Sequence, residues 1–315
     1  MTECFIGIDT SNYTTSAAIC TRDGKIVANL KIPLPVKAGE CGLRQSDAVF
    51  AHVKNLPTLM QDLAKELWGM KPIAVGVSAT PRPQEGSYMP CFLSGIAAAE
   101  SFAAAADIPL FRFSHQEGHI MAAVYSADAM HLLESERFAA FHVSGGTTEV
   151  LLATPHASGF GIELFAATAD INAGQAIDRI GVMLGLAFPC GKELERLAEK
   201  NEKKIPKSRI SVKDGYCNLS GLENMATKLW QERGDAALVA AFTLQFIGDT
   251  LVAMTNELDA RIPSLPIVYA GGVMSNRYLQ SRLGKRGNAY FAEPQFSADN
   301  AAGIALLCRK QFLKI

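Results

Sequence analysis

A chain of 315 residues is long enough for two domains, and 49% hydrophobic against 19% charged residues leaves ample material for a core. The formal net charge of −1 excludes an overall basic field that would draw nucleic acid or an anionic membrane unaided. Seven cysteines (Cys4, Cys20, Cys41, Cys91, Cys190, Cys217 and Cys308) stand singly, which argues against a disulfide framework and a thiolate zinc site.

The opening "MTECFIGIDT" lacks a basic stretch before an apolar run and does not read as a signal peptide. The most apolar stretch, 91–106, is interrupted by Glu100 and is too short to span a bilayer. A cytoplasmic protein with no membrane contact is expected. In chain order, "CFIGID" (4–9) is a buried-type strand ending in Asp9. The hydroxyl-rich loop 9–15 follows, then a strand, an Asp-Gly turn in "RDGK" and a third strand, "IVANLKI". Helical patterns cover 46–67 and 91–106.

The stretch "FSHQEGHIMAAV" (113–124) puts His115 and His119 four apart at the start of a helix, on one face. Alone the pair does not distinguish a metal site from two histidines sharing a face. At 139–164 the strand, small-residue loop, strand, turn and strand of the N-terminus recur, with "SGGTT" as the loop, and helices are expected at 172–185 and 192–200. Later, "LPIVYAGGVMSNRYLQSRL" reads as a buried strand, a double glycine and a helix capped near Ser275. "SADNAAGIALLCRKQF" reads as a C-terminal helix.

A duplicated three-stranded unit with helices predicts an α/β protein of the actin-like (sugar kinase, Hsp70, actin) ATPase architecture, two lobes around a nucleotide cleft. The expected division is 1–108 plus the C-terminal helix 300–315 for one lobe. The other, 109–299, would carry most of the metal and nucleotide site. Gly145 and Gly146 would let backbone N–H groups approach phosphate oxygens, and Gly271 with Gly272 would let an adenosine lie against the main chain.

"SHQEGH", "VSGGTTEV", "AGQAIDRIGVMLGLAFPCG", "NLSGLENMATKL", "YAGGVMSNRYL" and "FSADNAAGIA" together resemble the TsaD/Gcp family, in order and spacing, over essentially the whole chain. Its members are tRNA threonylcarbamoyladenosine synthases, formerly called O-sialoglycoprotein endopeptidases. The resemblance implies one divalent metal, Fe2+ or Zn2+, on His115, His119 and Asp299. Two imidazoles and a carboxylate suit either ion. Asp299 reads equally as a helix N-cap. His142 is either a fourth ligand or a histidine partly buried on a strand.

The resemblance also implies an adenine nucleotide or threonylcarbamoyl-adenylate held by Val143, Ser144, Gly145, Gly146 and Thr147, with Asp178, Gly191, Gly272 and Asn276. For Asp178 a helix-surface charge beside Arg179 is the alternative. The implied reaction is threonylcarbamoyl transfer to N6 of adenosine 37 in tRNA. The implied partners are tRNA, presented through other subunits, a TsaB-like paralogue and a TsaE-like ATPase.

Three departures stand out. The family's "ETSCDET" loop reads "DTSNYTT", where Asp9 keeps the acid of a catalytic or substrate-orienting position, while Asn12, Tyr13 and Thr14 replace the cysteine and two further acids. "TPRPQEGSYMPCFLSG" (80–95), with Arg82 and Tyr88, replaces a short "GPGL" loop. Glu223 and Thr147 stand where the family has lysine and histidine. The chain therefore reads as a divergent paralogue. Carbamoyl or acyl transfer to another acceptor, or a non-catalytic nucleotide-binding partner, are the alternative functions. A zincin protease is disfavoured, because Gln116 rather than Glu follows the first histidine and Glu117 points off the metal face.

Overall fold

Along the N-terminal strand of the computed structural model, side chains alternate between two faces as a strand requires. Ile6 and Ile8 enter an apolar cluster with Leu59, Leu63 and Ala99, while Gly7 and Asp9 face the C-terminal helix and its approach. The structure describes residues 1–11, 13–35 and 43–314; Asn12 and Cys41 lie outside them.

In chain order the elements are β1 (Thr2–Ser11), β2 (Thr14–Thr21), β3 (Ile26–Pro33), α1 (Gln45–Glu66), β4 (Met70–Thr80), α2 (Phe92–Ala106), β5 (Leu110–Ser114) and α3 (His115–Ser126). Then come β6 (Phe138–Val143), β7 (Thr148–His156), β8 (Gly159–Ala167), α4 (Ala173–Met183), α5 (Gly191–Ala198), a small hairpin of β9 (Ser211–Lys213) and β10 (Tyr216–Asn218), α6 (Gly221–Arg233) and α7 (Ala236–Arg261). Last are β11 (Ile267–Ala270), α8 (Arg277–Leu283), β12 (Ala289–Phe291), α9 (Pro294–Ser297) and α10 (Ala302–Leu313).

Two compact units result, 1–126 with 154–162 and 295–315, and 127–153 with 163–294. The first contains a sheet ordered β3-β2-β1-β4-β5, with β1 antiparallel to β2 and parallel to β4. The second contains β8-β7-β6-β11-β12, with β6 antiparallel to β7 and parallel to β11. The recurrence read from the hairpins thus extends to the order of all five strands.

The division differs from the expected 1–108 and 109–299. β5 joins the first sheet by pairing in parallel with β4, and α3 packs on α10, so residues 109–126 belong to the first unit. These are non-local pairings that local sequence patterns do not encode. Two glycines make the α3–α10 contact possible. A Cβ on Gly303 would lie 1.8 Å from the Gly118 carbonyl oxygen, so only glycine lets the two backbones meet there.

The core of the first unit buries Leu59 and Leu63 of α1 almost completely, the helix lying over β2 and β3, and each contributes about 1.5–3 kcal/mol of transfer free energy. The second unit centres on α7, whose Phe246, Ile247 and Leu251 pack with Ile177, Leu194 and Leu222. α7 is long and apolar enough to cross a bilayer, yet most of it is buried in this core. Among the described residues the cysteines Cys4, Cys20, Cys91, Cys190, Cys217 and Cys308 are free and buried.

Candidate metal centre and nucleotide loops

α3 starts at His115, immediately after β5, so His115 and His119 occupy its first two turns and project from one face. Their rings meet edge to face with centroids 4.2 Å apart. Asp299 lies in the turn before α10. Its Oδ1 is 3.6 Å from His115 Nε2 and 3.4 Å from His119 Nε2, and the three ligand atoms lie within 4.8 Å of one another. Two ligands sharing an ion at about 2.1 Å have this kind of separation. Donor set and geometry therefore fit one divalent cation.

Asp299 does not cap the final helix. The N-cap of α10 is Ala301, without a side-chain bond, and the Asn300 side chain instead accepts from Ala302 N. His142 sits on β6 of the second unit and is outside the three-residue group.

Behind the ligands stands Asp9, 0% exposed. Its Oδ2 is 2.8 Å from His115 Nδ1 and accepts the Ser78 hydroxyl; its Oδ1 accepts Ser11 N at 2.9 Å. A carboxylate on Nδ1 turns Nε2 toward the ion and makes the imidazole a better ligand. Burial disfavours charge on His115. The Asp9 carboxylate, together with the bonds to Asp299 and Asp9, outweighs that penalty and pushes the imidazole up to about 10. Burial likewise raises Asp9 and Asp299, but the histidines and hydrogen bonds around them pull both below the usual carboxylate range, Asp299 furthest. His115 thus sits between two carboxylates that favour its protonated form.

Two further polar residues support this floor. His52, fully buried, spans from Thr15 Oγ1 (2.9 Å, Nδ1) to the Ser11 carbonyl (2.9 Å, Nε2), so Nε2 carries the proton and donates. Glu117, between the two ligands in sequence, turns away from them. Its Oε2 accepts both Ser114 N and Ser114 Oγ at 2.8 Å, fixing the first turn of α3, and its Oε1 accepts Phe160 N. Neither Ser78 nor His52 carries a spacing signal in the sequence. The segment 80–95 is tied at both ends to the same scaffold, Pro81 O accepting Gln116 N and Cys91 O accepting the Thr10 hydroxyl. Arg82 and Tyr88 are exposed on it.

The nucleotide positions all fall in the second unit, gathered around α4. The loop 143–147 closes on itself: Ser144 N donates to Thr147 O, while Gly146 N and Thr147 N donate to Ser144 Oγ. Cβ atoms on Gly145, Gly146, Gly191 or Gly272 would meet nothing within 4 Å, so the fold itself leaves room there. Gly271 differs: its φ is +100° and a Cβ would strike Val143 O at 2.2 Å, which locks the two loops together. Asp178 Oδ1 accepts Cys190 N at 2.8 Å at the entry to α5; burial raises its carboxyl, and that N–H partly offsets the rise. Arg179 does not pair with it, bonding Glu223 instead at 3.1 Å. Asn276, not Ser275, caps α8, its Oδ1 accepting Leu279 N.

The chain matches the model of the TsaD family, tRNA N6-adenosine threonylcarbamoyltransferase, over residues 37–306. It belongs to that family. The tRNA N6-adenosine threonylcarbamoyltransferase of a Thermus thermophilus strain is 33% identical over 96% of this chain and 90% of its own length. That of Streptococcus equi subsp. zooepidemicus is 29% identical over 100% and 94%. Among solved structures, full-length HypF in its phosphate- and nucleotide-bound form aligns with TM-score 0.60 and 13% identity, over 98% of this chain and 55% of HypF. A ROK family protein from Streptococcus pneumoniae aligns with TM-score 0.54 and 14% identity over 99% of both chains. These likenesses show the fold, the actin-like α/β architecture. The TsaD-family chain thus combines a three-ligand cluster with glycine loops.

Proposed function

We propose that this protein is a metal-dependent acyltransferase that moves the threonylcarbamoyl group of threonylcarbamoyl-adenylate to N6 of adenosine 37 in tRNA. The observation that carries the reading is the convergence of His115, His119 and Asp299, with Asp9 on the far side of His115. Family membership and the names of the relatives support the reaction class.

His115, His119 and Asp299 would hold Fe2+ or Zn2+, which when bound supplies a Lewis acid and a template. Asp9 acts through His115 as a positioning residue, fixing its tautomer. Ser144, Gly145 and Gly146, with Val143 and Thr147, line the phosphate side of the ligand; Gly191, Gly272, Asn276 and Asp178 line its nucleoside side. Ser144 shapes the loop, and the open Cβ positions let backbone lie against the ligand. Alignment of the anhydride with the attacking amine is the main gain such a site offers.

The net charge of −1 leaves tRNA to be presented with the help of other subunits, a TsaB-like paralogue and a TsaE-like ATPase, in the cytoplasm. Complementation of a strain depleted of its own TsaD tests the reading. Restored growth and N6-threonylcarbamoyladenosine in its tRNA are expected; absence of the modified nucleoside, with the protein expressed and folded, refutes the proposed acceptor.

A further inference from the structure

Ser16 stands opposite Asp9 in the β1–β2 pairing, and Lys31 stands opposite Ser16 in the β2–β3 pairing. Paired residues project to the same side of a sheet. One row therefore carries Asp9, Ser16 and Lys31 onto the face that holds the metal ligands. Asn29, two residues from Lys31, shares that face. β3 is the outer strand of its sheet, and a cavity of about 420 Å³ lies between it and α9, lined by Ile26, Asn29, Lys31, Gln295 and Phe296 among others.

Two groups on this wall lack what their chemistry asks for. Lys31 is partly buried and donates to the Gln295 carbonyl at 2.6 Å. An ammonium has three donors, and among the described residues no carboxylate lies within ion-pair distance of it. Asp299 acts on it only at longer range. The side-chain oxygen of Asn29 is buried without a hydrogen-bond partner. A cation short of a counter-ion and an acceptor short of a donor, side by side on a cavity wall, are complementary to a ligand that offers an anion next to a hydroxyl.

We propose that this cavity receives the amino-acid end of the donor, its α-carboxylate on Lys31 and its β-hydroxyl on Asn29. The assignment rests on the threonylcarbamoyl reading, since threonine carries those two groups on adjacent carbons. The row from Asp9 to Lys31 covers two strand spacings, about 10 Å. Lys31 and the metal-ligand candidates lie on one face of the sheet, and Asp299 is near enough to act on Lys31 electrostatically, so one short ligand can meet both. Lys31 and Asn29 are specificity-determining residues for the transferred group and touch no bond that is made or broken.

The test is calorimetric binding, to the intact metal-loaded protein, of three non-transferable sulfamoyl-linked donor analogues built on threonine, threoninamide and 2-aminobutyrate. The wild type is expected to bind the threonine analogue at least ~10-fold more tightly than either of the others. Lys31→Met should erase the acid-over-amide preference, Lys31→Arg should keep most of it, and Asn29→Ala should erase only the hydroxyl preference, all with unchanged metal content and unfolding midpoint. A Lys31→Met variant that keeps the acid-over-amide ratio overturns the assignment, as does a wild type that binds all three alike. If the preferences behave as stated while tRNA stays unmodified, the cavity stands and the proposed acceptor falls. If tRNA is modified and the preferences are absent, the reverse holds.

Discussion

Gly303 of α10 sits directly over Gly118 of α3, and Gly118 is one residue before the ligand His119. A Cβ on Gly303 would lie 1.8 Å from the Gly118 carbonyl oxygen and 3.0 Å from Ala122 N. The helix that carries His115 and His119 and the segment that delivers Asp299 are therefore registered by backbone contact.

Gly303→Ala should push the helices apart. In an exposed helix, alanine for glycine stabilises by about 1 kcal/mol. Here the expected result is a loss of about 2 kcal/mol or more, through overpacking, together with weaker metal binding. Urea unfolding and metal titration measure both. A stabilised variant with full metal content would contradict the close packing.

Asp9→Asn keeps the shape of a side chain that accepts Ser11 N and the Ser78 hydroxyl, but removes the charge behind His115. Metal affinity should fall about 10–100-fold with the fold retained, the range found when a carboxylate behind a histidine ligand is lost. Unchanged affinity would remove Asp9 from the metal site.

The same cluster sets a pH dependence in the metal-free protein. His115, raised from 6.5 to about 10, contributes stability that is fully present below pH about 6.5 and is lost as pH rises toward 10. Asp9 and Asp299 are lowered, so their contribution is present above pH about 4 and is lost as pH falls through their folded-state values. Metal binding must displace the His115 proton, so affinity should climb with pH across the neutral range. Chemical denaturation of chelated protein between pH 4 and 10, and metal titrations at three pH values, follow the two effects. Metal affinity that is flat with pH would show that His115 is already neutral.

Gly145→Ala and Gly146→Ala place a methyl group in open space. Each should change unfolding free energy by less than about 1 kcal/mol and weaken adenine-nucleotide binding at least ~10-fold, read by calorimetry. Undiminished nucleotide binding would show that the loop 143–147 does not touch the ligand.

Much of this was legible because it is local. An N-terminal strand through Asp9, an Asp-Gly hairpin repeated in plan at 139–164, and two histidines on one helical face are short-range patterns, and all three are present. The strand, however, runs on past Asp9 to Ser11 and pairs with Thr14 and Thr15 of the expected loop. Lobe membership was not legible. Whether residues 109–126 join the first or second unit depends on β5 finding β4 and on α3 finding α10, pairings about 35 and 185 residues apart in sequence. Ser78 escaped because a lone hydroxyl in an apolar strand has no period. Capping was legible only to within a residue: the cap expected near Ser275 is Asn276, and beside Asp299 it is Asn300 that accepts an N–H of the last helix. Arg179 next door made a helix-surface charge the alternative for Asp178, whereas Asp178 is partly buried and accepts Cys190 N, and Arg179 reaches Glu223 on α6.

Equilibrium dialysis of chelator-treated protein against Fe2+ or Zn2+, with metal quantified by mass spectrometry, tests the central claim most directly. One equivalent bound by the wild type and none by His119→Ala, with both proteins folded, is the predicted result. A wild type that binds no metal, or a His119→Ala variant that binds it as tightly, would contradict the account.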